Sequence, residues 1–421
     1  MRAFYTLLFY LLLPFAFVRL WLRGRKLPAY RQRWRERFGF CPRIQSDKEV
    51  LWFHTVSVGE FIAARPLIEH YVKQQRYEIL VTTMTPTGSE RVRAAFGERV
   101  KHCYLPYDLP GASRRFLERS QAKIFVCLET ELWPNLIHAC HKRGIKIMVA
   151  NARLSQRSAR GYKMLRNLSR RMLKKIDVAA IQNEGDAGRF VSLGLKPERA
   201  HVIGNIKFDL NISDTARSAA AELKQQLTAQ GEQILIAAST HKGEDEIILS
   251  AFKQLRQQHK HLKLILVPRH PERFDAVYKL CLASGYSVAR RSDMQTQAAD
   301  ILLGDTMGEL LIMLGASDFA FIGGSFIDNG GHNYIEPAAW SLPIVSGPST
   351  YNFRTIAEEL QQAKALLIVD DEQQLSKALE QLLEKPDAAL AQGRAALAVA
   401  EKNRGALDKL IALIDKQLSA L

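Results

Sequence analysis

Two doubly wound α/β domains, each built on a parallel sheet and joined near residue 210, are what this sequence predicts. Short apolar runs alternate with amphipathic stretches, the pattern of parallel strands covered by helices on both faces. The series halts at a polar segment, 207–219, and then restarts. Length agrees, since 421 residues exceed one ordinary core.

The first series runs VLWFHTV (50–56), EILVTTM (78–84), AKIFVCLE (122–129), KIMVANA (146–152), VAAIQ (178–182) and HVIGN (201–205), with IAARPLIEHYVKQ (62–74) as the helix after the first strand. The second runs QILIAAS (233–239), KLILVPR (263–269), DILLGD (300–305), FAFIGGS (319–325) and LPIVSG (342–347). From about residue 354 onward the pattern is helical and generic. The expected division is an anchor with a basic juxtamembrane segment over 1–42, a Rossmann-like domain over 43–210 and a second over 211–421. The last helix is expected to pack back on the first domain.

Residues 3–18 (AFYTLLFYLLLPFAFV) are almost wholly apolar, and Leu20, Trp21 and Leu22 extend the run past Arg19. A spanning helix needs roughly 17–25 such residues, so this one is at the short end, with Pro14 a candidate kink. A cleavable signal would carry cations before the apolar core and small residues after it. Here only Arg2 precedes the core, and the residues after it are bulky and basic. Arg19, Arg23, Arg25, Lys26, Arg31, Arg33, Arg35, Arg37 and Arg43 crowd one side, which places that side in the cytoplasm. They also suit anionic headgroups. The expectation is a single N-terminal anchor in the membrane, with the domains on its cytoplasmic side.

The formal charge of +16 leaves nucleic acid, an anionic membrane and an acidic substrate as partner classes. A composition of 47% hydrophobic and 24% charged residues argues against overall disorder. Five widely spaced cysteines, odd in number and without a CxxC pair, fit reduced thiols, and Cys127 inside IFVCL is expected to be buried. His138, Cys140 and His141 cluster without a distant second ligand pair, so they are not taken as a metal site.

Ligands of open parallel sheets bind beyond the carboxyl ends of the strands, and the unusual polar and glycine-rich sequence collects there. HTVSVGEF (54–61) ends the first strand with Glu60, a carboxylate able to take a proton from an attacking hydroxyl or to complement a helix start. ETELWPN (129–135) adds Glu129 and Glu131 as alternative bases or holders of a sugar hydroxyl. NARLSQRSARGY (151–162) supplies Arg153 and Arg157, suited to phosphates on an acceptor; no aromatic interleaving of the single-stranded nucleic-acid kind accompanies them. PRHPERF (268–274) offers Arg269 for a leaving phosphate. GDTMGEL (304–310) has capping-box chemistry in Thr306 and Glu309. GGSFIDNGGHNYIEP (323–337) suits close approach of a phosphate to backbone and a helix N-terminus, with Glu336 one turn into that helix and placed for ribose hydroxyls. No GxGxxG or P-loop pattern occurs, and no Asp-x-Asp.

SVGE, ETELWPN, NARLS with RSARGY, PRHPERF, DTMGEL and GGHN followed by EPA, in this order, closely resemble the 3-deoxy-D-manno-octulosonic acid (Kdo) transferases of lipopolysaccharide synthesis. The resemblance runs from the N-terminus to about Phe353. It implies the GT-B fold, with a cleft between two Rossmann-like domains, and inverting transfer of Kdo from CMP-Kdo to lipid IVA at the bacterial inner membrane, without metal or other cofactor. It makes Glu60 the proton acceptor for the 6′-hydroxyl. It assigns CMP contacts to Pro268 and Arg269, to Met307, Gly308 and Glu309, and to Asn333, Tyr334, Ile335 and Glu336. Tyr334 and Ile335 replace a Pro-Leu pair frequent among relatives, so their contacts are expected through backbone. Two other readings compete: a GT-B transferase using a UDP-sugar on another membrane lipid, and a membrane-associated nucleic-acid-binding protein. Neither is favoured.

Overall fold

A computed structural model describes residues 1–25, 27–210, 212–228, 231–293 and 299–421. Lys26 of the basic run and Asn211 of the polar segment lie outside the described residues. The chain forms two compact units, Met1–Asp209 with Gly405–Leu421, and Leu210–Arg404.

In the first unit the strands are β1 (Val50–His54), β2 (Glu78–Thr83), β3 (Lys101–Tyr104), β4 (Ala122–Leu128), β5 (Lys146–Ala152), β6 (Val178–Ile181) and β7 (Ala200–Val202), in sheet order β3-β2-β1-β4-β5-β6-β7. Every pairing is parallel. The central strands are apolar because both faces are covered: Trp52 and Phe125 stack at 3.8 Å on one side, while Phe53 and Val126 pack on the other. The Trp52 indole still needs a partner when buried, and it donates to Thr82 Oγ1 at 2.8 Å.

The last helix, Ala406–Leu418, belongs to this unit. It buries Leu410 and Ile414 in the core, and its Asp415 accepts from the Tyr71 hydroxyl at 2.8 Å. Asp209 accepts the free N–H groups of Gly405 and Leu407 at its start (2.9 and 2.7 Å).

The second unit carries β8 (Gln233–Thr240), β9 (Leu262–Pro268), β10 (Val288–Arg290), β11 (Ile301–Leu303), β12 (Phe319–Ile322), β13 (Ile344–Ser346) and β14 (Leu366–Ile368), in order β10-β11-β9-β8-β12-β13-β14, again all parallel. β14 corrects the expectation of a purely helical tail. β3 and β10 were not anticipated either, and all three lie at sheet edges.

The N-terminal apolar stretch is one helix, α1 (Arg2–Arg23), with Pro14 inside it. All five cysteines, Cys127 included, are buried free thiols.

Candidate functional site

At the carboxyl ends of β1 and β4 the first unit gathers three glutamates. The helix after β1 is α2 (Val58–Gln74); it begins four residues earlier than the sequence pattern, so Glu60 lies in its first turn rather than in a loop before it. Ser57 is the cap, its hydroxyl oxygen accepting the Glu60 N–H at 3.3 Å. The Glu60 carboxylate folds back over that turn, accepting from Val56 N at 2.8 Å and from Ser57 Oγ at 3.2 Å. Burial pushes the carboxyl up, and the nearby negative charges of Glu129 and Glu131 add to it. The hydrogen bonds from Val56 and Ser57 oppose this, and the balance is a pKa of about 7. A carboxylate poised there is a competent general base at neutral pH.

Glu129 follows β4 in the left-handed region (φ 56), its N–H donating to Ala150 O at 2.8 Å. A non-glycine residue held there is strained. Its carboxylate pairs with Lys207 on the turn after β7. Glu131 is raised above the ordinary range by burial and then by Glu129. Arg153 touches this rim through backbone, its carbonyl accepting the Thr130 hydroxyl. The Arg153 and Arg157 side chains are exposed, and neither forms an ion pair among the described residues.

At the carboxyl ends of β8, β9 and β12 the second unit encloses a cavity of about 190 Å³. Arg269, Asn333 and Glu336 line it together with Ser239 and His332. Burial raises the Glu336 carboxyl, while the Asn333 hydrogen bond and the Arg269 charge pull the other way. Pro268 is the buried last residue of β9. Arg269 is exposed beyond it and anchored by its N–H to Thr240 O at 3.0 Å. Arg273, by contrast, is spent internally on Thr240 O and Asp245.

Three details differ from the sequence reading, and a fourth agrees with it. Glu336 is the second residue of a five-residue helix, Ile335–Ala339, not one turn into a long one, so little macrodipole is available. The N–H groups of Gly324, Ser325 and Phe326 do not face a ligand. They donate to the fully buried Glu244 carboxylate at 2.7–2.9 Å, which also accepts His241 N at 2.9 Å. Thr306 caps no helix: Glu309 holds the cap position of the short helix Leu310–Gly315, and Thr306 donates its hydroxyl to the Glu309 carboxylate. Tyr334 and Ile335 bury their side chains, the Tyr334 hydroxyl bonding Ser346 Oγ at 2.8 Å and the Ile335 N–H donating to Asn333 Oδ1 at 3.0 Å.

Met307 is largely exposed and Gly308 has φ 88, a turn that favours glycine. Glu309 is lowered overall: hydrogen bonds from Thr306 and Arg291 outweigh the upward push of burial.

Sequence reasoning missed the imidazole pair. His241 and His332 stack with planes 2° apart and Nε2 atoms 2.8 Å apart. Burial, then Arg269, lowers His332 to about 4, so the ring is neutral at neutral pH. Both histidines sit in strand-end segments, HKGE and GGHN; only their meeting across 91 residues is invisible in the sequence.

The family of 3-deoxy-D-manno-octulosonic-acid transferases (Kdo transferases) matches residues 32–210. A 3-deoxy-D-manno-octulosonic acid transferase of Haemophilus influenzae is 42% identical over 428 residues, covering 99% of each chain. One of Bordetella pertussis is 32% identical over 435 residues, again 99% of each. Among solved structures, a UDP-GlcNAc 2-epimerase from Neisseria meningitidis covers 89% of this chain and 100% of its own, with a TM-score of 0.52 and 13% identity. That last likeness concerns the fold alone, two Rossmann-like units of the GT-B type. By its full-length relatives the chain belongs to the 3-deoxy-D-manno-octulosonic-acid transferases and is a glycosyltransferase.

Proposed function

We propose that this chain transfers Kdo from CMP-Kdo to lipid IVA, with inversion at the anomeric carbon and without a metal, on the cytoplasmic side of the bacterial inner membrane. The observation that carries the reading is Glu60, half-buried beside two further carboxylates and raised to about 7. Glu60 takes the proton of the lipid's 6′-hydroxyl as that oxygen attacks the anomeric carbon. A single direct displacement of this kind inverts the centre. Glu129, Glu131, Arg153 and Arg157 serve the acceptor side, the arginines meeting the phosphates of the lipid.

On the donor side, Arg269 supports the CMP phosphate as it leaves, which supplies charge stabilisation without a metal ion. The turn N–H groups held by Glu244 take no part in this. Glu336 holds the ribose hydroxyls, Asn333 orients it, and Pro268, Met307, Gly308, Glu309, Tyr334 and Ile335 complete the nucleotide contacts, the last two through backbone. The apolar α1 and the cations after it attach the chain to the membrane where the acceptor resides.

Purified chain incubated with lipid IVA and a panel of CMP-Kdo and UDP-sugars tests the reading by product mass. Expected are Kdo increments from CMP-Kdo alone. Turnover of a UDP-sugar with CMP-Kdo left untouched would overturn it.

A further inference from the structure

α1 is long and apolar enough to cross a bilayer. Its inner side is nevertheless partnered along its whole length. Near the start, the Tyr5 hydroxyl bonds the Asp108 carboxylate, and Thr6 exchanges hydrogen bonds with the Asn135 amide at 3.0 and 3.2 Å. Asp108 is itself fixed, accepting Asn135 N and Leu136 N (3.0 and 2.7 Å) at the start of the Pro134–Lys142 helix. Phe9 then meets Trp133 edge-on at 6.5 Å. Phe17 stacks on Phe38 at 5.5 Å and lies 5.0 Å from Trp34. At the far end Arg31 covers the Trp21 ring and donates to Trp21 O at 3.2 Å. Residues 5, 6, 9, 13, 16, 17 and 20 form one half-buried stripe, the helical period of a face packed on protein. The opposite stripe, Phe4, Leu8, Leu11, Phe15, Val18 and Leu22, is exposed.

A 22-residue helix is roughly 33 Å long, and the hydrocarbon core of a bilayer is about 30 Å thick. Were α1 to cross, everything seated along it would share its depth. Those neighbours include the irregular backbone from Leu105 to Leu109, the buried Asp108 and the segment from Tyr30 to Phe40. The Leu105–Leu109 backbone is covered by protein, but Arg31, Gln32 and Arg35 of the second segment are exposed, and charged groups set against lipid at that depth are expensive. Cations also mark both ends: Arg2 acts on His138 and Lys175 at one, while Arg19, Arg23 and Arg25 stand at the other. The first carboxylate in the sequence is Glu36. A helix lying flat, with an apolar stripe down and cations at its rim, matches an anionic membrane surface.

We propose that α1 does not cross the bilayer. It lies along the first unit with its exposed stripe sunk into one leaflet, held to the body by the Tyr5–Asp108 and Thr6–Asn135 contacts. The inference rests on the membrane attachment proposed above and fixes its geometry: both ends of α1 stay on the side of the body.

A cysteine on a short Gly-Ser extension ahead of Met1, in the full chain, reports the side on which that end lies. All five native cysteines are buried, so the extension carries the reactive thiol. A membrane-impermeant maleimide is expected to label it in inside-out membrane vesicles and to leave it unmodified on spheroplasts. Labelling on spheroplasts, with protection in inside-out vesicles, would overturn the inference. Flotation of the purified chain with vesicles of phosphatidylethanolamine and phosphatidylglycerol separates the two readings. Failure to float removes the membrane attachment and this inference together; flotation with spheroplast labelling removes this inference alone.

Discussion

The two sheets present the same architectural feature, the carboxyl ends of parallel strands, with opposite chemistry. In the first unit the rim is acidic, and burial and mutual repulsion disfavour ionisation of Glu60 and Glu131. In the second it is Arg269 with the neutral imidazole of His332, around a cavity that also holds Glu336. In the function proposed above, one rim receives a proton and the other an anion. On that proposal the fold sets only where chemistry happens, and side-chain environment sets which half of the reaction each unit serves.

The sharpest challenge to this division of labour is at Glu60. Glu60→Gln is expected to lower kcat by roughly 10²–10⁴-fold, the usual worth of a positioned base, with CMP affinity unchanged by calorimetry. The pH profile of the parent should fall on the acid side with a midpoint of about 7, because the base works only when ionised. Stability gives an independent check. A carboxyl whose folded pKa is raised binds its proton more tightly folded than unfolded, so its stabilising contribution is present below the ordinary glutamate range and lost as pH rises through about 7. Relative to Glu60→Gln, the parent should therefore lose melting temperature between pH 5 and 8. A parallel pH dependence in both proteins would remove the raised carboxyl from the account.

The mirror experiment is on the second rim. Arg269→Ala should weaken CMP binding roughly ten- to a hundred-fold, the scale of a lost charge-assisted hydrogen bond, with the acid limb still at about 7. Glu336→Gln should cost less, under about ten-fold, since its proposed partners are neutral hydroxyls. If either substitution moved the pH midpoint instead of the affinity, the separation of roles between the rims would fail.

Both rims were largely legible in the sequence, and for one reason. Interior strands are apolar on both faces, so their ends are sharp, and Glu60, Glu129, Arg269 and Glu336 each follow such an end. The missed strands are sheet edges with a single neighbour. Lys-His-Cys-Tyr of β3 is half polar, and β10 and β14 are three residues long. The first turn of α2 was hidden because Ser57 and Glu60 look like loop residues until the cap closes. What sequence could not supply were side-chain meetings across long separations: Glu244 with the 324–326 turn, His241 with His332, Lys207 with Glu129. The first of these changed the chemistry, because donors that looked free for a phosphate are already occupied.

The finest test concerns how the first rim reaches its pKa. Burial is the leading cause at Glu60, and the charges of Glu129 and Glu131 come after the Val56 hydrogen bond that opposes it. Glu131→Gln removes one of those charges while keeping the shape and leaving Glu60 buried. The acid limb of the pH profile should then move to lower pH, by less than about one unit, as expected for a single charge interacting through partly screened surroundings. The direction is fixed by sign alone: less negative charge nearby makes ionisation of Glu60 easier. A limb that stays in place would leave the shift to burial and Glu129, and Glu131 would then stand apart from Glu60.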